Sequence, residues 1–257
     1  MTIHISVELS HVCPLEEIAE HAAALESLGY YRVWVPDTIV SPWEAWLAAG
    51  LMVQHTARLK IGLGVTNPYT RHPMVVAQMA ATMQHLSTGR LALSIGKGIP
   101  RLLKKAGVDP CDSAVEECIT ALRNLIAGER TSMDGEAFQI DGLRIRTLPP
   151  DKNIPIYLAA MSASSWKTAL RVADGVATIF NEEMVDIRNQ LMAEKKLPTA
   201  ALVPFSLSQE DFFEGWNRAD SKEELMERVQ KMETEGIEEV IVAYRELADL
   251  QVAAQLI

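Results

Sequence analysis

The sequence predicts a (β/α)8 TIM barrel, and three observations support this fold class. The chain has 257 residues, close to the usual size of about 250 residues for one such barrel. Short apolar runs alternate with segments of helical periodicity eight times along the chain. Residues 60–98 have the pattern of a β-α-β unit, whose two strands are parallel. A doubly wound open sheet and a division into two small domains are the alternatives. We expect one barrel domain over residues 1–257.

The amino-terminal fifth of the chain is predicted to contain two strands and two helices. Residues 3–9 alternate as a first strand, Pro14 opens a helix that ends at Gly29, and residues 32–36 form the second strand. Residues 43–54 are predicted to form the next helix. The side chains of this helix that we expect to face inward are Trp43, Trp46, Leu47 and Val53.

The following β-α-β unit organises the rest of the chain. Residues 60–65 form a strand, Pro73 lies in the first turn of a helix, and Gly89 ends that helix before a strand at residues 91–95. Both strands end in glycine-rich loops at the same edge of the sheet, which is where α/β folds bind ligands. The helix face expected to be buried carries Val76, Ala77, Ala80, Met83 and Leu86.

Residues 99–150 interrupt the alternation, and we interpret them as one barrel unit with an insertion after strand four. Ser113 and Glu116 have the spacing of a capping box before a helix that ends at Gly128. Residues 131–146 are predicted to form a small hairpin with glycine-containing turns.

The carboxyl-terminal third is compact and returns to regular alternation. Strands are predicted at residues 154–160, 175–180, 202–207 and 239–243, with helices between them and a closing helix at the end. These four strands complete the eight that a barrel requires.

The composition argues against several classes of partner. The net charge is −10 and no basic block offsets it, which disfavours nucleic acid and anionic membranes. No apolar run approaches the roughly 18 residues of a membrane span, and no basic-then-apolar signal opens the chain, so we expect a cytoplasmic protein. The 3 cysteines and 6 histidines lack C-x-x-C and metal-ligand spacings, so we expect neither a disulfide framework nor a metal site.

Position in the barrel selects the candidate functional residues, because activity collects at the carboxyl ends of the strands. The residues that follow the predicted strands there are Glu8, Ser10, His11, Asp37, Thr66, Asn67, Lys97, Met161, Ser162, Ala163, Asn181, Glu182, Ser206, Ser208 and Gln209.

Glu8 is the sharpest of these candidates. A carboxyl group at the inner rim of an apolar barrel is desolvated, which raises its pKa and suits a general acid near neutral pH. The alternative is a structural carboxylate paired with a basic neighbour.

Two loops have the composition of ligand-binding loops. Residues 160–165 are small and lead straight into a helix, so their backbone N–H groups suit a phosphate or carboxylate. The alternative is an ordinary turn capped by Ser162 or Ser164. The loop Gly96-Lys97-Gly98 has room for a flat ligand or a phosphate, although no full dinucleotide fingerprint follows it.

Several stretches resemble the bacterial-luciferase-like superfamily of flavin and deazaflavin enzymes. They are L-E-S-L-G-Y-Y-R-V-W-V-P-D, T-N-P-Y-T-R-H-P, L-S-T-G-R-L-A-L-S-I-G-K-G, E-C-I-T-A-L-R-N-L-I-A-G-E, I-P-I-Y-L-A-A-M-S and R-V-A-D-G-V, in the family's order. Within the superfamily the chain is most similar to the methylenetetrahydromethanopterin reductases. This resemblance implies coenzyme F420 as cofactor, with FMN as the alternative, a small one-carbon-pterin-like substrate and a homodimer.

The resemblance also implies roles for single residues. The strand I-S-V-E-L is similar to the one whose glutamate is the proposed proton donor to the pterin, and that role falls on Glu8. A non-prolyl cis peptide is implied between Gly64 and Val65. The chain departs from the family at Thr38, where histidine is frequent, and at Ile99, where the reductases often have an acidic residue. The implied cofactor contacts are Asp37, Gly64, Val65, Thr66, Asn67, Gly96 and Lys97, with phosphate contacts from Ala160, Met161, Ser162 and Ala163.

Three other functions remain open at this level. The first is an FMN-dependent monooxygenase of the luciferase type, and the second is a non-catalytic flavin-binding relative with a reduced barrel. The third is a pterin reductase that uses a nicotinamide cofactor directly.

Overall fold

Eight parallel strands close into a barrel, which confirms the predicted fold class. The computed structural model describes residues 3–9, 13–193, 195–208 and 217–257. The barrel order is β1, β2, β3, β4, β7, β8, β9, β10, and β10 closes it by pairing with β1. In chain order the strands are β1 (His4–Glu8), β2 (Arg32–Val35), β3 (Lys60–Thr66), β4 (Leu91–Ile95), β5 (Thr131–Asp134), β6 (Gln139–Leu143), β7 (Ile156–Ala159), β8 (Gly175–Ile179), β9 (Thr199–Pro204) and β10 (Glu239–Ala243).

Helices cover the outside of the barrel and share one apolar core with the outward-facing side chains of the strands. Within the described part of the chain, no helix combines the length and apolar character that a membrane crossing requires. In chain order the helices are α1 (Ile18–Ser27), α2 (Ala45–Gln54), α3 (Pro73–Leu86), α4 (Pro100–Lys105), α5 (Ala114–Ile126), α6 (Ala163–Val172), α7 (Glu182–Leu191), α8 (Lys222–Thr234) and α9 (Leu247–Ala253).

The amino-terminal half of the barrel interior is filled by an ionic and aromatic cluster. The guanidinium of Arg32 lies 2.6 Å from the carboxylate of Glu239, and the two side chains are only 4% and 5% exposed. The Ser6 hydroxyl and the Trp34 indole N–H donate to the same carboxylate at 2.7 and 2.9 Å. The ring of Tyr157 lies beside the guanidinium, 5.7 Å from it. These groups satisfy much of the buried charge and close the barrel from below.

Two of the four inward-facing residues at the level nearest the carboxyl ends of the strands are small. The pairing register, followed around the barrel, places Glu8, Gly64, Ala159 and Leu202 together as one layer of four inward-facing residues. Glycine and alanine contribute little or no side chain to this layer. The upper end of the barrel therefore offers room that the Trp34 layer beneath it does not.

The segment between β4 and β7 carries the predicted hairpin and one helix that the sequence analysis did not predict, α4. The hairpin is held by Glu117 of α5, whose carboxylate accepts hydrogen bonds at 3.0 Å from the backbone N–H groups of residues 136–138. The predicted capping box at Ser113 is wrong, because Ser113 has helical backbone angles and makes no side-chain cap. Its hydroxyl instead donates a hydrogen bond to the carboxylate of Glu117.

Two side chains predicted to face inward are exposed. Leu47 is 71% exposed and Leu86 is 50% exposed. Since α2 is apolar on nearly all sides, periodicity does not define one buried face, and the helix buries Trp46 and Val53 while turning Leu47 outward. Leu86 is the last residue of α3, where the helix leaves the core.

Candidate active site

The predicted site residues on the first five barrel strands come together at the carboxyl rim of the barrel. Glu8 ends β1, Thr66 ends β3, and Asp37 follows β2 by two residues. The loops after β4 and β7 bring Gly96, Lys97, Ala160, Met161, Ser162 and Ala163 to the same rim. The candidates Ser10, His11 and Gln209 lie outside the described residues.

Glu8 has the environment that the sequence predicts for a general acid. It is half-buried, its backbone pairs with Trp34 and Ala243, and burial raises the pKa of its carboxyl to about 7. Among the residues described by the structure, no basic side chain lies within ion-pairing distance of this carboxylate. The alternative of a paired structural carboxylate therefore has no described partner.

Asp37 is buried and is held by an arginine that sequence reasoning missed. The Arg71 guanidinium binds both carboxylate oxygens of Asp37, at 2.8 and 3.0 Å, and the Thr66 hydroxyl donates to Asp37 at 2.6 Å. Arg71 also pairs with Glu44, the residue before α2. This network fixes the ends of β2 and β3 relative to each other. Arg71 lies within T-N-P-Y-T-R-H-P, so the motif was visible although its arginine was not singled out.

Asn67 shapes the loop after β3. Its side-chain oxygen accepts hydrogen bonds from the backbone N–H groups of Tyr69 and Thr70, at 3.1 and 3.0 Å, and the residue is buried. Gly98 passes close by, since a Cβ atom at this glycine would lie 3.3 Å from the Cβ of Asn67. Asn67 therefore holds the β3 and β4 loops in contact.

Two glycines let the strand ends approach one another. A Cβ atom at Gly64 would lie 2.5 Å from the Cβ of Ser94, and one at Gly96 would lie 2.6 Å from Val65 and 2.9 Å from Ala159. The peptide bond between Gly64 and Val65 is cis, as the resemblance implied. We call Gly64, Val65, Gly96 and Ala159 the glycine cradle.

The charged side chain that follows Gly96 of the cradle is paired with a carboxylate. The Lys97 ammonium lies 2.5 Å from the Asp112 carboxylate, and both side chains are exposed. Lys97 thus lies in a solvent-exposed loop, where its charge is partly neutralised.

The loop after β7 combines a helix cap with free backbone donors. Ser162 caps α6 by accepting from the Ser165 N–H at 3.3 Å, and the Ser165 hydroxyl oxygen accepts from the Met161 and Ser162 N–H groups at 3.1 and 3.0 Å. The capped turn predicted at Ser162 is confirmed. The N–H groups of Ala163 and Ser164 donate to no acceptor in the described ranges and stay available at the positive helix end.

The candidate residues after β8 and β9 form hydrogen bonds within their own loops or cap the helix that follows. The Asn181 side chain caps α7 by accepting from the Met184 N–H at 2.8 Å, and Glu182 lies in the first turn of that helix. The Ser206 hydroxyl oxygen accepts from the Ser208 N–H at 3.1 Å. Their geometry indicates local structural roles.

A match to a protein-family model identifies the family of this chain. The model, described as luciferase-like monooxygenase, matches residues 1–200 of the chain. The chain belongs to this family. The matched range includes Glu8, the Asp37 network, the glycine cradle and the α6 cap, so the family assignment covers the whole candidate site.

Two luciferase-like relatives are similar in part of their sequence. The 5,10-methylenetetrahydromethanopterin reductase of Methanopyrus kandleri is 29% identical over 177 residues, which cover 62% of this chain and 50% of the relative. The F420-dependent hydroxymycolic acid dehydrogenase of Mycobacterium tuberculosis is 35% identical over 115 residues, 41% of this chain and 31% of the relative. The chain thus matches half or less of the length of these relatives.

The luciferase-like fold is also shared with solved structures. The structure of the coenzyme F420-dependent tetrahydromethanopterin reductase from Methanopyrus kandleri superposes with a TM-score of 0.82, covering 100% of this chain and 99% of that chain. Its sequence identity is 17%, so the similarity shows the fold alone.

Proposed function

We propose that this luciferase-like chain is an oxidoreductase that moves a hydride between reduced coenzyme F420 and a methylene-tetrahydropterin-like substrate. The observation that carries the proposal is Glu8. It is an inward-facing carboxyl group with a raised pKa, in a layer of the barrel that it shares with Gly64 and Ala159. Relatives with F420 in their names support the choice of cofactor.

The residues at the rim fit a flat ring with a phosphate-bearing tail. Two of the four residues of the glycine cradle, Gly64 and Gly96, have no side chain to block a planar ring, and a Cβ atom at either would clash with its neighbours. The free N–H groups of Ala163 and Ser164 suit the phosphate. In this proposal Asp37, Thr66, Asn67 and Lys97 complete the cofactor site. The backbone N–H groups of residues 160–162, which the resemblance implied as phosphate contacts, already donate within the protein, to the Ala177 carbonyl and the Ser165 hydroxyl. The bound deazaflavin supplies the hydride.

Glu8 contributes the proton in the proposed reaction. At neutral pH, a carboxyl with a pKa of about 7 is protonated in a large fraction of molecules. It donates that proton to a nitrogen of the one-carbon bridge of the substrate, and the C–N bond to this nitrogen breaks. The iminium carbon that remains accepts the hydride. The barrel positions the reactants and excludes water from them.

The proposal is tested by anaerobic oxidation of reduced F420 in the presence of a methylene-tetrahydropterin. We expect turnover that requires both reactants and that falls at least about 100-fold in Glu8→Gln, the usual contribution of a general acid. Glu16→Gln, an exposed glutamate of the same chain, is the matched control. Full turnover in Glu8→Gln with unchanged cofactor binding would exclude the proton-donor role.

An FMN-dependent monooxygenase is the second candidate, and the description of the family model favours it. It predicts that the purified protein carries extractable flavin and consumes oxygen with reduced FMN. Flavin-free protein without oxygen consumption would reject this candidate.

We also propose that the protein is a homodimer in the cytoplasm. Leu47 and Leu51 of α2 and Val75 of α3 are 71%, 41% and 47% exposed, and the two helices are in contact. The cysteines Cys13, Cys111 and Cys118 are unpaired, as is usual in a reducing compartment. Light scattering should give twice the chain mass of 28.4 kDa for the wild type. The variant Leu47→Asp should have the mass of a single chain. A monomeric wild type would reject the dimer.

A further inference from the structure

A groove of about 530 Å³ lies beside the hairpin of the insertion, and three arginines line it. They are Arg130, just before β5, and Arg144 and Arg146, in the segment that follows β6. All three are exposed, and no acidic residue of the described chain lines the groove. Its lining also includes the apolar side chains of Leu143 and Leu148. We call the groove lined by these residues the arginine groove.

The arginine groove lies at the opposite end of the barrel from Glu8. The helices run antiparallel to the strands, so their carboxyl ends mark the amino-terminal side of the barrel. His85, in the last turn of α3, donates to the Leu148 carbonyl at 2.9 Å. Pro149 lies against Gly128, two residues beyond the end of α5. A ligand in this groove therefore occupies a site separate from the proposed cofactor site.

The guanidinium groups of the groove have no carboxylate partners. Within the described ranges, the side chains of Arg144 and Arg146 form neither an ion pair nor a hydrogen bond, and Arg130 donates only to a backbone carbonyl of β6, at 2.5 Å. An exposed arginine elsewhere does form such a pair, as Arg171 with Glu116. Three unpaired positive charges around one groove, on a chain of net charge −10, make this groove a local site for an anion.

We propose that the arginine groove binds a small organic diphosphate, with a nucleoside diphosphate as the model ligand. The volume of the groove falls within the range of about 300–1,000 Å³ that is usual for small-molecule sites. Guanidinium groups bind phosphate oxygens through pairs of parallel hydrogen bonds. A nucleoside diphosphate has a charge of roughly −3 at neutral pH, which matches three arginines. Leu143 and Leu148, which are 44% and 74% exposed, offer apolar surface to the base. This site does not depend on the proposed function.

Calorimetric titration of the whole chain with ADP, in the absence of divalent cations, tests this site. We expect binding that weakens as the salt concentration rises. Arg144→Gln and Arg146→Gln should each weaken it roughly tenfold, the loss of one charge-assisted hydrogen bond. Adenosine, which lacks the diphosphate, should bind at least about tenfold more weakly than ADP. Because neither guanidinium contacts the protein through a hydrogen bond, both variants should unfold at the same urea concentration as the wild type.

Arg58→Gln is the matched control. Arg58 is also exposed but does not line the groove, so this variant should bind ADP as tightly as the wild type. Ser162→Ala, which changes the proposed phosphate site at α6, should also bind ADP normally. Loss of ADP binding in Ser162→Ala, with binding kept in both arginine variants, would place ADP in the cofactor site and overturn the assignment. No binding of ADP to the wild type, or wild-type affinity in the double variant Arg144→Gln/Arg146→Gln, would overturn it as well.

Discussion

Glu8 can change its protonation state within the working pH range, because burial raises the pKa of its carboxyl to about 7 from an ordinary value of 4.5. Between these values the folded protein holds a proton that the unfolded chain has lost. The resulting contribution to stability is fully present below pH 4.5 and is lost as the pH rises through 7.

We therefore predict a pH-dependent gain in stability for Glu8→Gln, which has no charge to bury. The free energy of unfolding of the variant, relative to the wild type, should be higher at pH 8 than at pH 4. Urea unfolding at both values, with Glu16→Gln as control, measures this difference. A difference that does not change with pH would show that the pKa of Glu8 is not raised.

The sequence predicts where a residue lies in the fold, but it does not predict which side chains that residue contacts. Glu8 follows from its place at the end of a barrel strand. Arg71 does not, because an arginine in a loop has many ordinary roles. Its role depends on Asp37, a contact that only the folded chain makes.

At the scale of single elements, the contribution of Ser162 to the stability of α6 can be measured separately from its contribution to cofactor binding. Ser162→Ala should lower the free energy of unfolding by about 1 kcal/mol, the usual cost of an N-cap. It should also weaken binding of F420 and FMN several-fold, since the capping box orders the loop that presents the Ala163 and Ser164 N–H groups.

Ser221→Ala is the comparison for that experiment. Ser221 caps α8 in the same way, by accepting from the Glu224 N–H, but it does not belong to the predicted site. It should cost a similar free energy with no change in cofactor affinity. Equal cofactor affinity in both variants would place the phosphate away from α6.

The hairpin of the insertion should depend on the ionisation of Glu117. Partial burial opposes its ionisation, but hydrogen bonds from Ser113 and from the N–H groups of residues 136–138 outweigh this and lower its pKa. The stability that these bonds add is present above pH 4.5 and is lost as the pH falls further. Hydrogen exchange should show the protection factor of Phe138 dropping in this range, and dropping roughly tenfold in Glu117→Gln at pH 7. The exposed Glu129→Gln should leave it unchanged, and protection that survives in Glu117→Gln would refute the role of Glu117.

Element boundaries followed from sequence where turn residues mark them. The predicted strand at residues 91–95 matches β4, and that at 239–243 matches β10. The short α4 was missed because six residues are too few for a periodic pattern. The inward face of α2 was assigned wrongly at Leu47, since an all-apolar helix carries no signal for its own orientation.

At the scale of the whole molecule, the buried pair of Arg32 and Glu239 ties β2 to β10 across the barrel interior. Removal of one partner leaves an uncompensated buried charge, so Arg32→Met and Glu239→Gln should each cost about 3 kcal/mol or more of unfolding free energy. The double variant should recover a large part of this loss. The exposed pair of Arg171 and Glu116 should cost about 1 kcal/mol or less when broken. Urea unfolding of the full cycle measures the coupling, and additive losses would contradict it.

The number and order of the barrel strands were predictable, because in each β-α unit a short apolar run is followed by a segment of helical periodicity. The contents of the barrel were not. Parallel strands covered on both sides are apolar on both faces, so the sequence does not show which residues point inward. The layer of Glu8 and the ionic cluster beneath it appear only once the register is known.

The affinity of the purified protein for three cofactors tests the central claim most directly. F420, FMN and a reduced nicotinamide are titrated by calorimetry under the same conditions. The proposed function predicts binding of F420 at micromolar or lower concentration, tighter than that of the other two. Tighter binding of FMN would identify the flavin monooxygenase instead, and no binding of any of them would contradict the cofactor site itself.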